Sequence, residues 1–338
     1  MIGKKPVFFL VKNRALGDSL MGLASVQYLR ALYPECIIIY AVPEWIAPLY
    51  KNIETAADII YPLKLKKLSD IFDLYTELIN LKVDAIHEMH QSGRGHKVFT
   101  IFSIMKNIPY TFHNHHLKSN TQVLDQGVIK ELIQRDLDGL YSFYGKNEVP
   151  SFLDYEPKIT LTKKTLQQQQ VIFGVVATRK TKMWPLQNYI ELARKISEKY
   201  PHVNIVIPLS KSTEDKKIKD ELLAGNLPIN TKIVEWPLEE LPAAFLKSKF
   251  YIGNDTGLKH LAVAVGIKSY TFFGPEPVNE WHPYNKNRHP YFYREGLACR
   301  TRTHHYCGLS VCDLMIENMQ CLTSFTTDQV FLEIEKDL

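Results

Sequence analysis

Short apolar runs alternate with amphipathic stretches along most of the chain, and polar loops separate them. In the first half, Val7–Val11, Ile37–Val42 and Ala85–Met89 have the continuous apolar character of buried strands, and the stretches between them carry apolar residues at helical spacing. A second block of the same kind begins at Val171–Val176. The alternation predicts strand–helix–strand units with parallel strands. Two such blocks predict an α/β protein with two doubly wound, Rossmann-like domains that face each other across a cleft.

A polar segment, Lys146–Lys164, lies between the two blocks and contains Pro150 and Pro157. Prolines in a polar stretch are typical of a linker. We therefore expect an N-terminal domain over residues 1–160 and a C-terminal domain over residues 161–338. The length of 338 residues also favours two hydrophobic cores over one.

The composition is that of a globular protein, with 45% hydrophobic and 23% charged residues. No apolar run approaches the roughly 20 residues of a membrane-spanning helix, and Val7–Val11 is too short for a signal-peptide core. We expect a cytoplasmic location. The formal charge of +5 suits an anionic substrate or membrane face, but it is too diffuse to predict a nucleic-acid partner.

The stretch Phe250–Pro277 contains a strand, a polar turn, a helix and a second strand. Asp255 and Thr256 are residue types that cap helices, and Gly257 allows close approach of a ligand to the backbone. Such a turn exposes backbone N–H groups at the positive end of a helix dipole, which suits a phosphate. The alternative is a capped helix that binds nothing.

A second loop, Thr178–Pro185, also follows a strand and opens a helix. The Thr178 hydroxyl and the Lys182 ammonium suit a diphosphate, although a solvated basic loop is the alternative. Because both loops end strands of one predicted sheet, they can converge on one anion. Together they predict a phosphate site.

In the first domain, Asp18 follows Gly17 where a helix begins. A carboxylate there serves either as a cap or first-turn acid, or as a general base facing the cleft. Both interpretations stay open. The polar loop His90–His96 is rich in glycine and histidine.

Three further patterns resemble metal sites. Asp136-Leu137-Asp138 is a lone D-x-D in a helical stretch, and we interpret it as a solvated helix face. The histidines of the first domain match no ligand motif, and we expect them to belong to polar loops that line the cleft: His87, His90, His96, His113, His115 and His116. The tail carries the cysteines Cys299, Cys307, Cys312 and Cys321 without C-x2-C pairs; a structural metal, a redox-labile bridge and ordinary reduced cysteines stay open, and we favour the last.

Taken together, these segments resemble glycosyltransferase family 9, the heptosyltransferase-like enzymes that add heptose to the lipopolysaccharide inner core of Gram-negative bacteria. The matching pieces are Leu16-Gly17-Asp18, Thr178-x3-Lys182-x-Trp184-Pro185, Gly253-Asn254-Asp255-Thr256-Gly257-x2-His260-Leu261-Ala262, Phe273-Gly274-Pro275 and the cysteine-bearing tail. The element around Asp255, followed by F-G-P, is the most specific of these.

The resemblance implies a GT-B fold with an N-terminal acceptor domain and a C-terminal nucleotide-sugar domain. It also implies an inverting transfer, commonly from ADP-heptose, without a metal or other cofactor. By motif position, Asp18 matches the family's proposed base, and Glu235 loosely matches a ribose contact. On the acceptor domain, the loop His90–His96 supplies Arg94 and His96 as candidates for the acceptor side. The residues that match donor contacts are Thr178, Lys182, Asp255, Thr256, Gly257 and His260.

The leading hypothesis is a transferase that moves heptose from the nucleotide sugar ADP-heptose to a lipopolysaccharide-core or related glycan or glycolipid acceptor, with no nucleic-acid partner. A lipid-linked acceptor would bring the enzyme to the inner face of the inner membrane, where Arg294, Arg300 and Arg302 either contact headgroups or are plain surface residues. One alternative is a GT-B transferase that uses another nucleotide sugar for capsule, O-antigen or protein glycosylation. The other is a catalytically silent protein that binds sugar nucleotides or glycans.

Overall fold

The computed structural model describes residues 5–91, 93–114, 118–119, 122–123, 130–146, 148–163, 165–297, 299, 312 and 319–338. These residues form two compact units. Unit 1 extends to Thr162, and unit 2 extends from Lys163 to Leu338. No helix in the described ranges is long and apolar enough to cross a membrane.

Unit 1 alternates strands and helices as the apolar pattern predicts. Its strands are β1 Val7–Val11, β2 Ile37–Pro43, β3 Ile53–Glu54, β4 Ile59–Leu63, β5 Ala85–Met89, β6 Tyr110–His113, β7 Lys118–Ser119, β8 Gln122–Val123 and β9 Thr160–Leu161. Its helices are α1 Leu16–Met21, α2 Leu23–Leu32, α3 Leu68–Asn80, α4 Gly93–Lys106 and α5 Leu132–Tyr144.

The main sheet of unit 1 is parallel, in the order β4-β2-β1-β5-β6. Its central strand β1 is buried along its whole length, so it appears in the sequence as an unbroken apolar run. On one face, Leu74 and Leu78 of α3 and Phe99 and Phe102 of α4 pack against Phe9. The strand order reverses direction between β1 and β5, and ligands of doubly wound sheets bind beside such a point.

Unit 2 repeats the arrangement. Its strands are β10 Gln170–Gly174, β11 Asn204–Pro208, β12 Thr231–Val234, β13 Phe250–Asn254, β14 Lys268–Phe273 and β15 Tyr291–Tyr293. Its helices are α6 Leu186–Lys199, α7 Thr213–Ala224, α8 Leu241–Leu246, α9 Gly257–Ala264, α10 Val278–Trp281, α11 Gln320–Thr323 and α12 Thr327–Ile334. The parallel sheet has the order β12-β11-β10-β13-β14-β15, and its switch point lies between β10 and β13.

One local prediction differs from the structure. The loop predicted over His90–His96 is helical from Gly93, so Arg94 and His96 belong to the first turns of α4. The helical stretch predicted around Asp136 is observed as α5.

Candidate functional site

Asp18 lies in the first turn of α1, directly after the loop that follows β1. The cap position is occupied by Ala15, and Asp18 makes no capping bond. Its buried carboxylate instead accepts a hydrogen bond from Arg14 Nε, with 3.1 Å between Nε and Oδ1. Asp18 is therefore a first-turn acid held by one arginine, and this position is compatible with the role of a general base.

The backbone around Asp18 is tightly packed at Gly22, which separates α1 from α2. A Cβ at Gly22 would lie 2.3 Å from the Tyr40 hydroxyl. That hydroxyl donates to the Ser19 carbonyl oxygen at 2.7 Å, and Ser19 Oγ and the Tyr50 hydroxyl are also 2.7 Å apart. The two tyrosines therefore hold the helix turn that carries Asp18 against β2.

Asp136 corrects a prediction, because the structure buries it completely in unit 1. Lys12 Nζ donates to Asp136 Oδ2 at 2.5 Å, and neither side chain is exposed. His113 Nε2 lies 3.0 Å from Asp136 Oδ1, and His87 Nε2 lies 3.0 Å from His113 Nδ1. The interpretation of Asp136 as part of a solvated helix face was wrong. Only Asp138 is partly exposed, where it pairs with Lys130.

This buried network also corrects the prediction for two histidines. His87 lies inside β5 and His113 ends β6, so neither belongs to a polar loop. Burial, together with the neighbouring His113, lowers the pKa of His87 well below its ordinary value. His87 is therefore neutral at physiological pH, and it ties β5 to β6 through His113 and the Thr111 hydroxyl.

A pocket of about 610 Å³ opens beside the β1 loop of unit 1. Its lining residues are Asn13, Arg14, Ala15, Pro43, Glu44, Trp45, Leu63, Lys64, Leu65 and Lys66. Arg14 links the pocket to Asp18. Two exposed lysines line it, one of them paired with Glu44 at 2.7 Å, together with a tryptophan that is 56% exposed. An exposed ammonium beside an aromatic ring suits an anionic sugar.

Arg94 and His96, the residues predicted for the acceptor side, have different surroundings. Arg94 Nη1 donates to the carbonyl oxygens of Leu65 and Lys66, so it holds the backbone of the pocket wall. His96 Nδ1 lies 2.8 Å from Gln91 Nε2 and 3.0 Å from the Tyr110 hydroxyl.

In unit 2, two glycines bring the central strands close together at the switch point. Gly174 of β10 is paired in register with Gly253 of β13, and a Cβ at Gly253 would lie 2.6 Å from Gly174 Cα. The Tyr251 ring covers both glycines, and its hydroxyl donates to the Asn254 carbonyl oxygen at 3.0 Å. Larger residues would displace this ring and separate the loops that follow the two strands.

Asn254 joins those two loops and was missed by reasoning from the sequence. Its Oδ1 accepts from the backbone N–H of Trp184 at 2.8 Å, and its Nδ2 donates to the Val175 carbonyl oxygen at 2.8 Å. Trp184 is fully buried and stacks on Phe272, with ring centroids 4.3 Å apart. The tryptophan of the T-x3-K-x-W-P pattern therefore anchors the loop 178–185 in the core.

Lys182 and Asp255, predicted to share one site, are in contact. Lys182 Nζ lies 3.2 Å from Asp255 Oδ2, and Lys259 Nζ donates to Asp255 Oδ1 at 2.5 Å. Burial alone would raise the pKa of Asp255, but the charges of Lys259 and Lys182 outweigh it and hold that pKa well below its usual range. Burial lowers the pKa of Lys259 to about 8.

Glu276, which follows the F-G-P motif, completes the charged cluster. It pairs with Arg179 and lies 3.8 Å from Lys182 Nζ, and burial raises its pKa. Gly274 allows the carbonyl oxygen of Thr181 to pack against the motif, since a Cβ there would lie 2.6 Å from that oxygen. A carboxylate directly after F-G-P was the sequence signal that could have identified Glu276.

The remaining donor candidates have different surroundings. Thr256 occupies the cap position of α9 without a side-chain capping bond, and Gly257 is the first helical residue. His260 is buried, and its Nδ1 lies 2.5 Å from the Tyr284 hydroxyl; burial, then the charge of Lys259, lowers its pKa well below the ordinary value. Thr178 is exposed at the start of its loop. Glu235 follows the edge strand β12 and pairs with Lys219 at 3.2 Å.

Within the described ranges, no three His, Cys, Asp or Glu side chains are grouped to hold a metal ion. Cys307 lies outside the described residues, as do Arg300 and Arg302. Cys321 lies in α11.

A family model described as glycosyltransferase family 9 (heptosyltransferase) matches residues 82–307, which is more than half of the chain. The chain belongs to glycosyltransferase family 9. The family assignment confirms both the resemblance inferred from the motifs and the predicted enzyme class, a glycosyltransferase.

Individual proteins agree with the assignment. This family 9 chain is 23% identical over 292 residues to lipopolysaccharide heptosyltransferase 1 of Campylobacter coli, covering 79% of this chain and 84% of that protein. Its structure is similar to E. coli ADP-heptose lipopolysaccharide heptosyltransferase II, with a TM-score of 0.70, 17% identity and 98% of each chain covered. An E. coli heptosyltransferase solved with ADP gives a TM-score of 0.65 at 15% identity, covering 98% of this chain and 97% of that one. These likenesses confirm the predicted GT-B fold class.

Proposed function

We propose that this glycosyltransferase transfers heptose from ADP-heptose to a lipopolysaccharide-core or related glycan acceptor, with inversion and without a metal. The observation that carries the proposal is the contact of Lys182 with Asp255 at the switch point of the unit 2 sheet. This contact puts a flexible ammonium beside the first turn of α9. An ammonium and a helix start both favour a diphosphate.

The donor site then acts on the leaving group. As the bond between the anomeric carbon and the diphosphate oxygen breaks, its electron pair moves to the diphosphate. Lys182 and the backbone N–H groups at the start of α9 stabilise that charge, because both are oriented towards the diphosphate before the bond breaks. Thr178, Thr256, Gly257 and His260 are proposed donor contacts, and Glu235 is the proposed ribose contact.

Asp18 is the proposed general base. Its carboxylate takes the proton of the acceptor hydroxyl while the hydroxyl oxygen forms the new bond to the anomeric carbon. Direct displacement from the face opposite the diphosphate inverts the anomeric configuration. The hydrogen bond from Arg14 keeps Asp18 in one orientation for this task.

The pocket beside Arg14 and Trp45 is the proposed acceptor site. Lys66 supplies positive charge for acidic groups of the glycan, and Lys64 is held at the pocket by its ion pair with Glu44. Arg94 shapes the pocket by holding the backbone at Leu65 and Lys66. His96 belongs to the same helix and is proposed to support it through its contacts with Gln91 and Tyr110.

Replacing Asp18 tests the base. Incubation with ADP-heptose and a heptose-deficient core acceptor should lengthen the glycan, and Asp18→Asn should slow transfer by about 10² to 10⁴-fold, the usual contribution of a general base. ADP affinity should not change, because Asp18 belongs to unit 1. Asp154→Asn, an exposed carboxylate of the same unit, is the control. Transfer at the wild-type rate by Asp18→Asn would refute the assignment.

Thermal shifts with ADP, UDP, GDP and CMP test which nucleotide the donor contains. ADP should stabilise the wild-type chain most, and Lys182→Met should lose that stabilisation. Lys195→Met removes a lysine that is paired on the surface of unit 2, and it should respond to ADP as the wild type does. Stabilisation by another nucleotide, and not by ADP, would show that the donor is a different nucleotide sugar.

A further inference from the structure

Large apolar side chains on α3 and α4 of unit 1 are exposed to solvent. We call them the α3–α4 apolar surface: Leu68, Phe72 and Ile79 of α3, and Ile101, Ile104 and Met105 of α4. Their exposed fractions range from 41% at Ile79 to 77% at Leu68. Exposed apolar residues are ordinary when they are scattered singly, whereas a group on adjacent helices marks an interaction site.

The six side chains lie on two helices that are in contact. The Tyr75 hydroxyl of α3 donates to Met105 Sδ of α4 at 3.4 Å, and the Tyr75 ring packs 5.3 Å from that of Phe102. Leu68 and Phe72 are one helical turn apart, and so are Ile101 and Met105, so each pair follows one stripe of its helix. The surface is therefore continuous across both helices.

Basic residues border this surface. The exposed ones are Lys66 and Lys67 before α3, Arg94 and Lys97 in the first turns of α4, and Lys106 at its end. Two acidic residues of α3, Asp73 and Glu77, lie on the opposite flank, near Tyr61 of β4. Burial, and then the charges of Glu77 and Asp73, raises the pKa of Tyr61. The border next to α4 is consequently positive.

We propose that the α3–α4 apolar surface docks on a membrane containing anionic lipids. Apolar side chains enter the boundary between headgroups and acyl chains, while the surrounding lysines attract anionic headgroups. A second copy of the chain is a poorer occupant. Each copy carries a formal charge of +5, so two copies repel each other, whereas an anionic bilayer attracts the positive border. The surface differs from the site predicted around Arg294.

Vesicle flotation with the full chain tests the proposal. Vesicles of phosphatidylethanolamine and phosphatidylglycerol should bind the protein at low salt, whereas phosphatidylcholine vesicles should bind it at least tenfold more weakly. Phe72→Ser/Ile104→Ser should weaken binding to the anionic vesicles at least tenfold. Lys67→Gln/Lys97→Gln should weaken it by about 30-fold, since each lysine near an anionic surface contributes about 1 kcal/mol, or about fivefold.

A matched control tests whether the loss of vesicle binding is specific to the α3–α4 apolar surface. Leu332→Ser/Ile229→Ser removes two apolar side chains of unit 2 that are 73% and 98% exposed, and it should bind vesicles as the wild type does. No binding by the wild type, or unchanged binding by Phe72→Ser/Ile104→Ser, would overturn the proposal. Sedimentation that detects dimers lost only in that variant, with vesicle binding unchanged, would assign the surface to a second copy.

Membrane docking is distinct from the transfer reaction, and the vesicle experiment contains neither donor nor acceptor. A failure to bind vesicles would leave the proposed transferase intact. A failure to transfer heptose would leave the membrane surface intact.

Discussion

Lys259 donates a hydrogen bond of 2.5 Å to Asp255, one helical turn before it, and the lysine side chain is completely buried. Its ammonium also donates to the Trp281 carbonyl oxygen at 2.7 Å and lies 4.8 Å from the centre of the Phe273 ring. The other carboxylate oxygen of Asp255 faces Lys182 at 3.2 Å. One carboxylate therefore has two lysine partners, one deep in the unit and one in the proposed donor site.

Replacing Lys259 should weaken ADP binding. In Lys259→Met, Asp255 keeps Lys182 as its remaining lysine partner, so a diphosphate must compete with a buried carboxylate for that ammonium. We expect the Kd for ADP to rise about tenfold, which corresponds to about 1.4 kcal/mol. Calorimetry at a temperature where circular dichroism shows a folded chain measures it.

The control for this prediction is Lys195→Met, which should bind ADP normally. Unchanged ADP affinity in Lys259→Met would show that Lys259 only stabilises the fold.

Removing either partner of the Lys12–Asp136 pair should destabilise unit 1. Each single change, Lys12→Met or Asp136→Leu, leaves the opposite charge buried, at a cost of about 3 to 5 kcal/mol. The double variant should regain most of that loss, because no lysine charge is then left without its carboxylate. Urea unfolding of all four proteins gives the coupling energy. Additive losses in the double variant would contradict the prediction.

Gly22→Ala should destabilise the turn that carries Asp18. The new methyl group would overlap the Tyr40 hydroxyl, and overpacking of this kind costs about 1 to 3 kcal/mol. Tyr40→Phe removes the overlapping atom, so the double variant should recover part of the loss, less the hydrogen bond to Ser19. Gly93→Ala is the matched control, since a Cβ there meets no atom within 4 Å. Equal losses at Gly22 and Gly93 would argue against the steric explanation.

Acid should destabilise unit 2 through its buried imidazoles. Burial lowers the pKa of His282 and of His289 to about 3, well below the ordinary value of about 6.5. Between these values the unfolded chain binds protons that the folded chain does not, so the free energy of unfolding falls as pH drops below about 6.5. The limiting slope is about 1.4 kcal/mol per pH unit for each imidazole.

Urea unfolding at about pH 7.5 and about pH 5.5 measures this dependence. His289→Gln should make the slope shallower, whereas His202→Gln, at an exposed position, should leave it unchanged. A slope that is the same in both variants would show that His289 does not carry the effect.

The pattern of apolar residues by itself determined the strands and the class of fold. Buried parallel strands are apolar along their whole length, so β1 and β5 have the bounds that the sequence predicts. The sequence alone also predicted that Lys182 and Asp255 belong to one site. Carboxyl ends of parallel strands share one edge of a sheet, so both loops were expected at that edge, and the pairing of β10 with β13 makes them neighbours.

Only the tertiary structure decided the partners of the buried charges. Helical periodicity identifies which residues share a face, but it does not show what packs against that face. Asp136 is buried because α5 places it against Lys12, a residue 124 positions earlier in the chain. Asn254 and Glu276 likewise acquire their roles from loops that are distant in sequence. Charged and polar side chains enter a core where partners meet them, and folding of the whole unit brings those partners together.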